Sequence, residues 1–362
     1  MQIRSILRLL LVATAVVGAG RARAARAARA AEKPAAPEPV ATVHPPGAAR
    51  AGAWKNPLVK KGYLNSPLVE TTPFVFGGRL YLAENYQAFV DSASKAPGAD
   101  AEKDALRVRD VETGKVVSVA LKEHSFGTVF VSGERVYAFS AKNAKGKPWR
   151  TATSVSMTSS ADLKNWSEPR TVWEAEAGEQ IFNVAVCRGP GRYVLLYETN
   201  DPKYPPFTFK YCESDDLVNW KRIPGGLYGT DKYVGGPALY YEGGWYYTLY
   251  LEALPDTEYE TRITRSRDLK AWQEAPPGRA FLTFDRSKKN LPLRRPELPE
   301  KNASDPELCF FGGRTIVYFT GSDQQVAGDL QRAEFEGTPR ALFEHFFEGV
   351  PDPDAPPRSQ AK

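Results

Sequence analysis

Along most of the chain after about Trp54, apolar and polar positions alternate in short runs, and the runs come in pairs. Five times an apolar run, a glycine-containing turn and an aromatic run follow one another. The pairs fall at residues 72–82, 128–139, 184–197, 237–250 and 308–319, turning at Gly77-Gly78, Gly133, Gly189 to Gly191, Gly243-Gly244 and Gly312-Gly313. Period-two alternation broken by glycine is the pattern of a β-hairpin. Five such hairpins, each followed by an outer pair of strands, predict an all-β fold: a five-bladed β-propeller with four-stranded antiparallel blades.

A second pattern sets the phase of the first. Ser160-Ala161-Asp162-Leu163-Lys164-Asn165-Trp166 recurs as Ser214-Asp215-Asp216-Leu217-Val218-Asn219-Trp220 and as Ser266-Arg267-Asp268-Leu269-Lys270-Ala271-Trp272, at intervals of 54 and 52 residues. Periods of this size mark repeat architectures. Ser and Asp can accept hydrogen bonds from nearby backbone N–H groups and fix a tight turn. Leu and Trp then carry the chain into a buried outer strand, with Trp filling space between blades. The motif is read as structural, with no catalysis on its Asp residues. The first and fifth blades lack it, their outer halves falling at residues 106–119 and 328–347, as terminal repeats often do.

Composition changes this picture little, except at the start of the chain. The 362 residues carry a formal charge of +5, but Arg4, Arg8, Arg21, Arg23, Arg26 and Arg29 supply six cations before the first acid. The remainder holds 42 basic and 43 acidic residues, a net of −1, so no nucleic-acid partner is expected. Arg4 and Arg8, the apolar run from Leu9 to Gly20 and the Ala22-Arg23-Ala24 site read as a secretion signal over residues 1–24, too short for a comfortable membrane span. Residues 25–53 read as an Ala/Arg/Pro linker, 54–348 as the propeller and 349–362 as a disordered tail. The expected location is secreted or periplasmic, and the expected state a monomer. Cys187, Cys212 and Cys309 make neither a disulfide framework nor a zinc site.

Blade phase then locates the candidate chemistry. The start of each inner strand and the end of the strand after it lie on one face, around the central channel, where propeller loops converge. Inner-strand starts place Glu70, His124, Asn183, the Gly235-Gly236-Pro237 segment and Asp305 there. Second-strand ends add Glu84, Asn85, Lys142, Glu198, Asn200, Asp201, Glu252, Asp323 and Gln324, with Tyr86, Tyr204, Tyr233 and Trp245 alongside. Acids, amides and aromatic rings are what a carbohydrate pocket uses, so an oligo- or polysaccharide is the expected partner.

On the repeats and hairpins just described, over roughly residues 56–347, the chain resembles the five-bladed propeller glycoside hydrolases of families 43, 32 and 117. The resemblance implies a funnel-shaped axial site with a carboxylate base or nucleophile opening the first inner strand, which matches Glu70. It implies a second, orienting acid in the third blade, which falls at or near Asn183, an amide. It implies a general-acid Glu before Gly-Pro in the fourth blade, where this chain has Gly235. The usual acid is missing. Two readings follow: a glycosidase that draws its proton donor from Glu198, Glu252 or Asp305, with His124 behind them, or a propeller that keeps the sugar pocket without hydrolysis. A protein-interaction platform is a third, disfavoured by the polar rim. No cofactor is expected. An axial structural Ca²⁺ is allowed, although no Ca²⁺-loop motif is present.

Overall fold

The computed structural model describes residues 54–64, 68–88, 91, 100–142, 151–205, 207–287, 299–323 and 329–353. The leader, the linker, Gln324 and most of the expected tail lie outside them.

The described chain forms five four-stranded antiparallel sheets arranged as the blades of a propeller. An N-terminal strand, β1 (Val59–Tyr63), precedes the first full blade, β2 (Val69–Phe76), β3 (Arg79–Tyr86), β4 (Ala105–Asp110) and β5 (Val116–Lys122). Blade two is β6 (His124–Ser132), β7 (Arg135–Lys142), β8 (Ser154–Ser160) and β9 (Arg170–Glu174). Blade three is β10 (Ile181–Arg188), β11 (Tyr193–Thr199), β12 (Thr208–Ser214) and β13 (Lys221–Tyr228). Blade four is β14 (Val234–Glu242), β15 (Trp245–Leu254), β16 (Glu258–Ser266) and β17 (Gln273–Glu274). Blade five takes β18 (Ser304–Phe311), β19 (Arg314–Thr320) and β20 (Leu330–Phe335), and is completed by β1 at its outer edge. The inner strands β2, β6, β10, β14 and β18 touch one another in a closed cycle.

The fifth blade departs from the sequence reading. Residues 328–347 were expected to supply its outer pair of strands, but only β20 comes from there. Helix α1 (Pro339–Phe346) follows, and β1 takes the fourth place. The reason is local. Pro339 has no N–H to give a ladder but suits the first turn of a helix. Thr338 caps that turn, its hydroxyl accepting from the Ala341 N–H at 3.3 Å. Leu342 and Phe343, with Phe346 one helical turn further on, share one face and bury together with Tyr247, Phe281 and Phe319.

The S-x-D-L-x-x-W segments are turns, as their residue types require. In the second copy, Asp216 Oδ1 accepts from the Val218 and Asn219 N–H groups at 2.9 and 2.8 Å. These backbone donors hold the Asp162 and Asp216 carboxyls well below the usual carboxylate range. Leu163, Leu217 and Leu269 take left-handed φ of 61°, 66° and 65° and are buried nonetheless. Each Trp packs on the preceding blade. Trp166 Nε1 donates to Ser118 Oγ at 3.0 Å, Trp220 meets the Phe139 ring edge-on at 6.2 Å, and Trp272 Nε1 donates to the Leu227 carbonyl at 2.8 Å.

Every inner strand also breaks register close to its start. The shifts fall between Val69 and Thr71, Ser125 and Thr128, Ile181 and Val184, Gly235 and Ala238, and Ser304 and Glu307. A β-bulge puts an extra residue into one strand and re-aims its side chain. Glu70, Phe126, Phe182, Gly236 and Asp305 thereby occupy equivalent positions in the five blades. Four of them have positive φ: 53°, 59°, 51° and 50° for Glu70, Phe126, Gly236 and Asp305.

Candidate functional site

Those bulges build the axial mouth. Glu70, Gly127, Asn183, Val184, Gly236, Pro237, Asp305 and Glu307 line a central cavity of about 10 Å³, room for roughly one water. Among the described residues the lining carries three carboxyl side chains, those of Glu70, Asp305 and Glu307. Three non-glycine residues hold a left-handed backbone at this ring, a conformation that costs on the order of 1–3 kcal/mol each and clusters at functional sites.

The fourth blade leaves a gap that its neighbours fill. A Cβ on Gly236 would lie 2.1 Å from Asp305 Oδ1, so Asp305 reaches into that space. A Cβ on Gly235 would lie 3.7 Å from Glu198 Oε1 and 3.6 Å from the Tyr233 hydroxyl. Glu198 is buried, and its Oε2 accepts from Asn183 Nδ2 and from the Gly236 N–H, both at 3.0 Å. Asp305 Oδ2 accepts from the Ser304 hydroxyl at 2.7 Å. Ser304 in turn accepts from Asn302 Nδ2 at 2.9 Å, and Asn302 is anchored on the Thr320 and Gly321 carbonyls. Asn85 staples blade one to blade two. Its Nδ2 donates to the Glu70 carbonyl and, at 2.9 Å, to the Gly127 carbonyl, while its Oδ1 accepts from the Gly127 N–H at 2.7 Å.

Other rim residues are engaged elsewhere. Glu84 is buried between Arg107 Nε at 2.7 Å and Arg109 Nε at 2.6 Å. Glu252 pairs with Arg262 Nε at 2.7 Å and does not line the cavity. Asp201 accepts from the buried Lys210 ammonium at 2.8 Å, which Glu179 also contacts. Asn200 and Gln180 make a reciprocal pair at 2.7 Å. His124 is buried, its Nδ1 against the Lys122 carbonyl, and burial lowers its pKa, so the ring is neutral near pH 7. Asp323 is buried just after β19. Trp245 belongs to the opposite end of blade four, where Arg265 and Arg267 stack on it at 4.2 and 4.0 Å.

Sequence reasoning passed over two groups. The first is the set of phenylalanines that link the expected Tyr233 across blades two to four: Phe126–Phe182 at 6.4 Å, Phe182–Phe207 at 4.5 Å and Phe207–Tyr233 at 5.6 Å between ring centres. The second is Glu307, two residues beyond Asp305. Its signal was a second ionisable residue, directly before the apolar run Leu308 to Phe311. Glu307 Oε1 accepts from the Thr72 and Thr128 hydroxyls at 3.2 and 3.4 Å, and Oε2 from the Tyr240 hydroxyl at 3.2 Å. Lost hydration pushes its carboxyl up to about 7 against these donors.

Among the described residues no group of three or more His, Cys, Asp or Glu is placed to hold a metal ion. No described helix is long and apolar enough to cross a membrane. A larger, open pocket of about 320 Å³ lies at the far end of blade three, between the β10–β11 turn and the Ser214 to Trp220 turn. Its charges offset one another, Arg192 pairing with Glu213, and no bulge points into it, so the axial mouth is the stronger site.

No family model matches the chain. Solved structures share its fold. A glycoside hydrolase superposes with a TM-score of 0.54 at 13% identity, covering 77% of this chain and 92% of that one. An α-L-arabinofuranosidase from Lactobacillus brevis gives 0.54 at 10% identity, covering 77% and 95%. A thermostable family-43 glycoside hydrolase gives 0.51 at 12% identity, covering 74% and 88%. The protein therefore has the five-bladed propeller fold found in glycoside hydrolases. At these identities the likeness establishes the fold alone, and fold does not fix chemistry.

Proposed function

We propose that this protein is a glycoside hydrolase acting on an oligo- or polysaccharide at the axial mouth. Glu70 serves as base or nucleophile, Asp305 as proton donor and Glu198 as an orienting carboxylate. The observation that carries this reading is the double glycine in blade four. Where the resembling family has its acid, Gly235 and Gly236 leave room, and the carboxylates of Glu198 and Asp305 reach into it from either side. Glycosidases need two carboxyls across the scissile bond, and the acid has moved to neighbouring blades in this reading. Phe207 and Tyr233 offer ring faces for stacking beside it. The leader-like residues 1–24 support export, and residues 54–348 are taken as the propeller domain.

The test is turnover of aryl glycosides and oligosaccharides by the wild type, Glu70→Gln and Asp305→Asn. Both variants should fold and lose activity by at least about a hundredfold. Unchanged turnover in Glu70→Gln removes the assignment. A second reading, a sugar binder without hydrolysis, draws on Gly235 and Gly236, which put no acid of their own where the resembling family has one. Glycan retention by the wild type with no product after long incubation would favour it.

A further inference from the structure

We propose that Lys232 is a positioning residue for the axial mouth: clamped in the seam between blades three and four, it fixes the loop whose next residue, Tyr233, stands beside Glu198 in the gap at Gly235. The proposal deepens the reading of the mouth given above, and rests on it for every effect on glycan.

Lys232 lies in the crossing from β13 to β14, and the feet of that crossing are pinned. The Gly229 carbonyl accepts from the Thr208 hydroxyl at 3.1 Å, and the Val234 N–H donates to the Phe207 carbonyl at 3.4 Å. Gly229 has φ of 77°, and a Cβ there would lie 2.3 Å from Val234 Cγ2, so the two feet close on each other. Between them Thr230 and Asp231 are exposed, while Lys232 and Tyr233 are partly buried.

Both blades make the clamp. From blade four, Glu274 Oε1 accepts from the Lys232 ammonium at 2.5 Å and the Tyr250 hydroxyl accepts from it at 3.1 Å. The ammonium also lies 5.1 Å from the centre of the Tyr250 ring and 5.4 Å from that of Tyr228, at the end of blade three. Tyr228 donates its own O–H to the same Glu274 oxygen at 2.9 Å, and its ring meets Tyr250 edge-on at 5.1 Å. An exposed ion pair by itself holds a lysine weakly. Here two buried tyrosine rings and a buried hydroxyl act on the same ammonium, and a cation held over ring faces is gripped more firmly as water is excluded.

Tyr233 faces the other way. Its ring stands 5.6 Å from Phe207. Its hydroxyl would lie 3.6 Å from a Cβ on Gly235, with Glu198 Oε1 at 3.7 Å from the same point. One peptide unit, about 3.8 Å between Cα atoms, separates the clamped residue from this ring. An ammonium anchored in the seam therefore limits how far Tyr233 can swing out of the mouth. Tyr233 thereby presents a ring face and a hydroxyl to a sugar lodged beside Gly235.

The experiment places a fluorotyrosine at position 233 of the full chain and records its fluorine NMR signal in the wild type, Lys232→Met and Glu274→Gln. Lys232→Met keeps an apolar stem and removes the charge. Glu274→Gln keeps Lys232 and loosens the clamp from the other side. The wild type should give one narrow resonance, and both variants a shifted or broadened one, with melting temperatures within a few degrees of wild type. On the nitrophenyl glycoside that the wild type cleaves fastest, Lys232→Met should raise KM about tenfold and leave kcat within about twofold, as expected for lost binding that is equal in ground and transition states. In a Tyr233→Ala background the same substitution should add less than about twofold, because its route to the sugar is already gone. An unchanged fluorine signal in Lys232→Met overturns the proposal. So does a full tenfold effect that persists without the Tyr233 ring, or a loss that falls on kcat alone. Should Lys232→Met fail to fold, Glu274→Gln decides by the same readings. A wild type that cleaves no glycoside, with the fluorine signal responding as expected, loses the proposed function and keeps the clamp on Tyr233.

Discussion

Two adjacent glycines in blade four separate what backbone and side-chain space each require. Gly235 has an ordinary φ, and a Cβ there meets nothing nearer than Leu251 Cδ2 at 3.4 Å. Gly236 has φ of 51°, and its Cβ would strike Asp305 Oδ1. Gly235→Ala should therefore leave the melting temperature within a degree or so of wild type. Gly236→Ala should cost about 1–2 kcal/mol for the left-handed backbone alone. By displacing Asp305 it should also lower turnover on the order of a hundredfold. Equal melting and turnover in the two variants would remove Asp305 from the site. At this scale the sequence was partly readable. Glu70 and Asp305 stood out because an acid directly before an apolar run has to sit at a strand end. The partners of Glu84 and Glu252 were hidden, because Arg107, Arg109 and Arg262 reach them across strands and only the register brings them together. Glu307 was hidden because a two-residue alternation counted through the bulge at Asp305 loses its phase.

The elements were more legible than the residues, and for a physical reason. A turn that satisfies its own N–H groups through Ser and Asp is a local structure, complete within seven residues, so it survives as a readable motif. What the motif anchors is not local. Trp220 lies between blades two and three, against Phe139, within a buried cluster that includes Val155, Val184 and Cys212. Trp220→Ala should cost about 3–5 kcal/mol, read by denaturant unfolding, because both blades lose the same packing. A cost under about 1 kcal/mol would mean that the blades do not share this contact energetically. The five bulges, by contrast, leave no sequence signature beyond Gly236-Pro237 and Asp305-Pro306, since Glu70, Phe126 and Phe182 take the same position with unrelated side chains. Position in the blade, rather than residue type, defines the axis.

At the scale of the whole molecule the open question is how the ring stays shut. A propeller built only from consecutive hairpins would leave its last blade one strand short, with β20 unpaired on one side and open to association with another chain. Here β1 covers that edge, pairing Val59 with Glu334, Lys60 with Ala333, Gly62 with Arg332 and Tyr63 with Gln331. Its approach is fixed on blade four and the helix. Asn56 Nδ2 donates to the Ala280 and Phe281 carbonyls at 3.0 Å each, and the Trp54 ring packs on Phe346 at 5.3 Å. Tyr63 reaches the buried Glu300 carboxylate at 3.0 Å, and burial with that neighbouring charge raises its hydroxyl far above the usual tyrosine range. β1 thus closes the ring by joining the first and last strands of the propeller, and Leu342, Phe343 and Phe346 of α1 supply the apolar floor beneath its approach. A chain beginning at Ser66 should keep the four complete blades' strands but expose β20, lowering the melting temperature by more than about 5 °C and producing dimers or larger species in light scattering. Adding a synthetic peptide of residues 54–65 should reverse both effects, because the pairing that closes blade five needs no covalent link to blade one. If the shortened chain melted like the wild type and stayed monomeric, closure would have to reside in contacts among the inner strands, and Glu307 would be the first place to look for it.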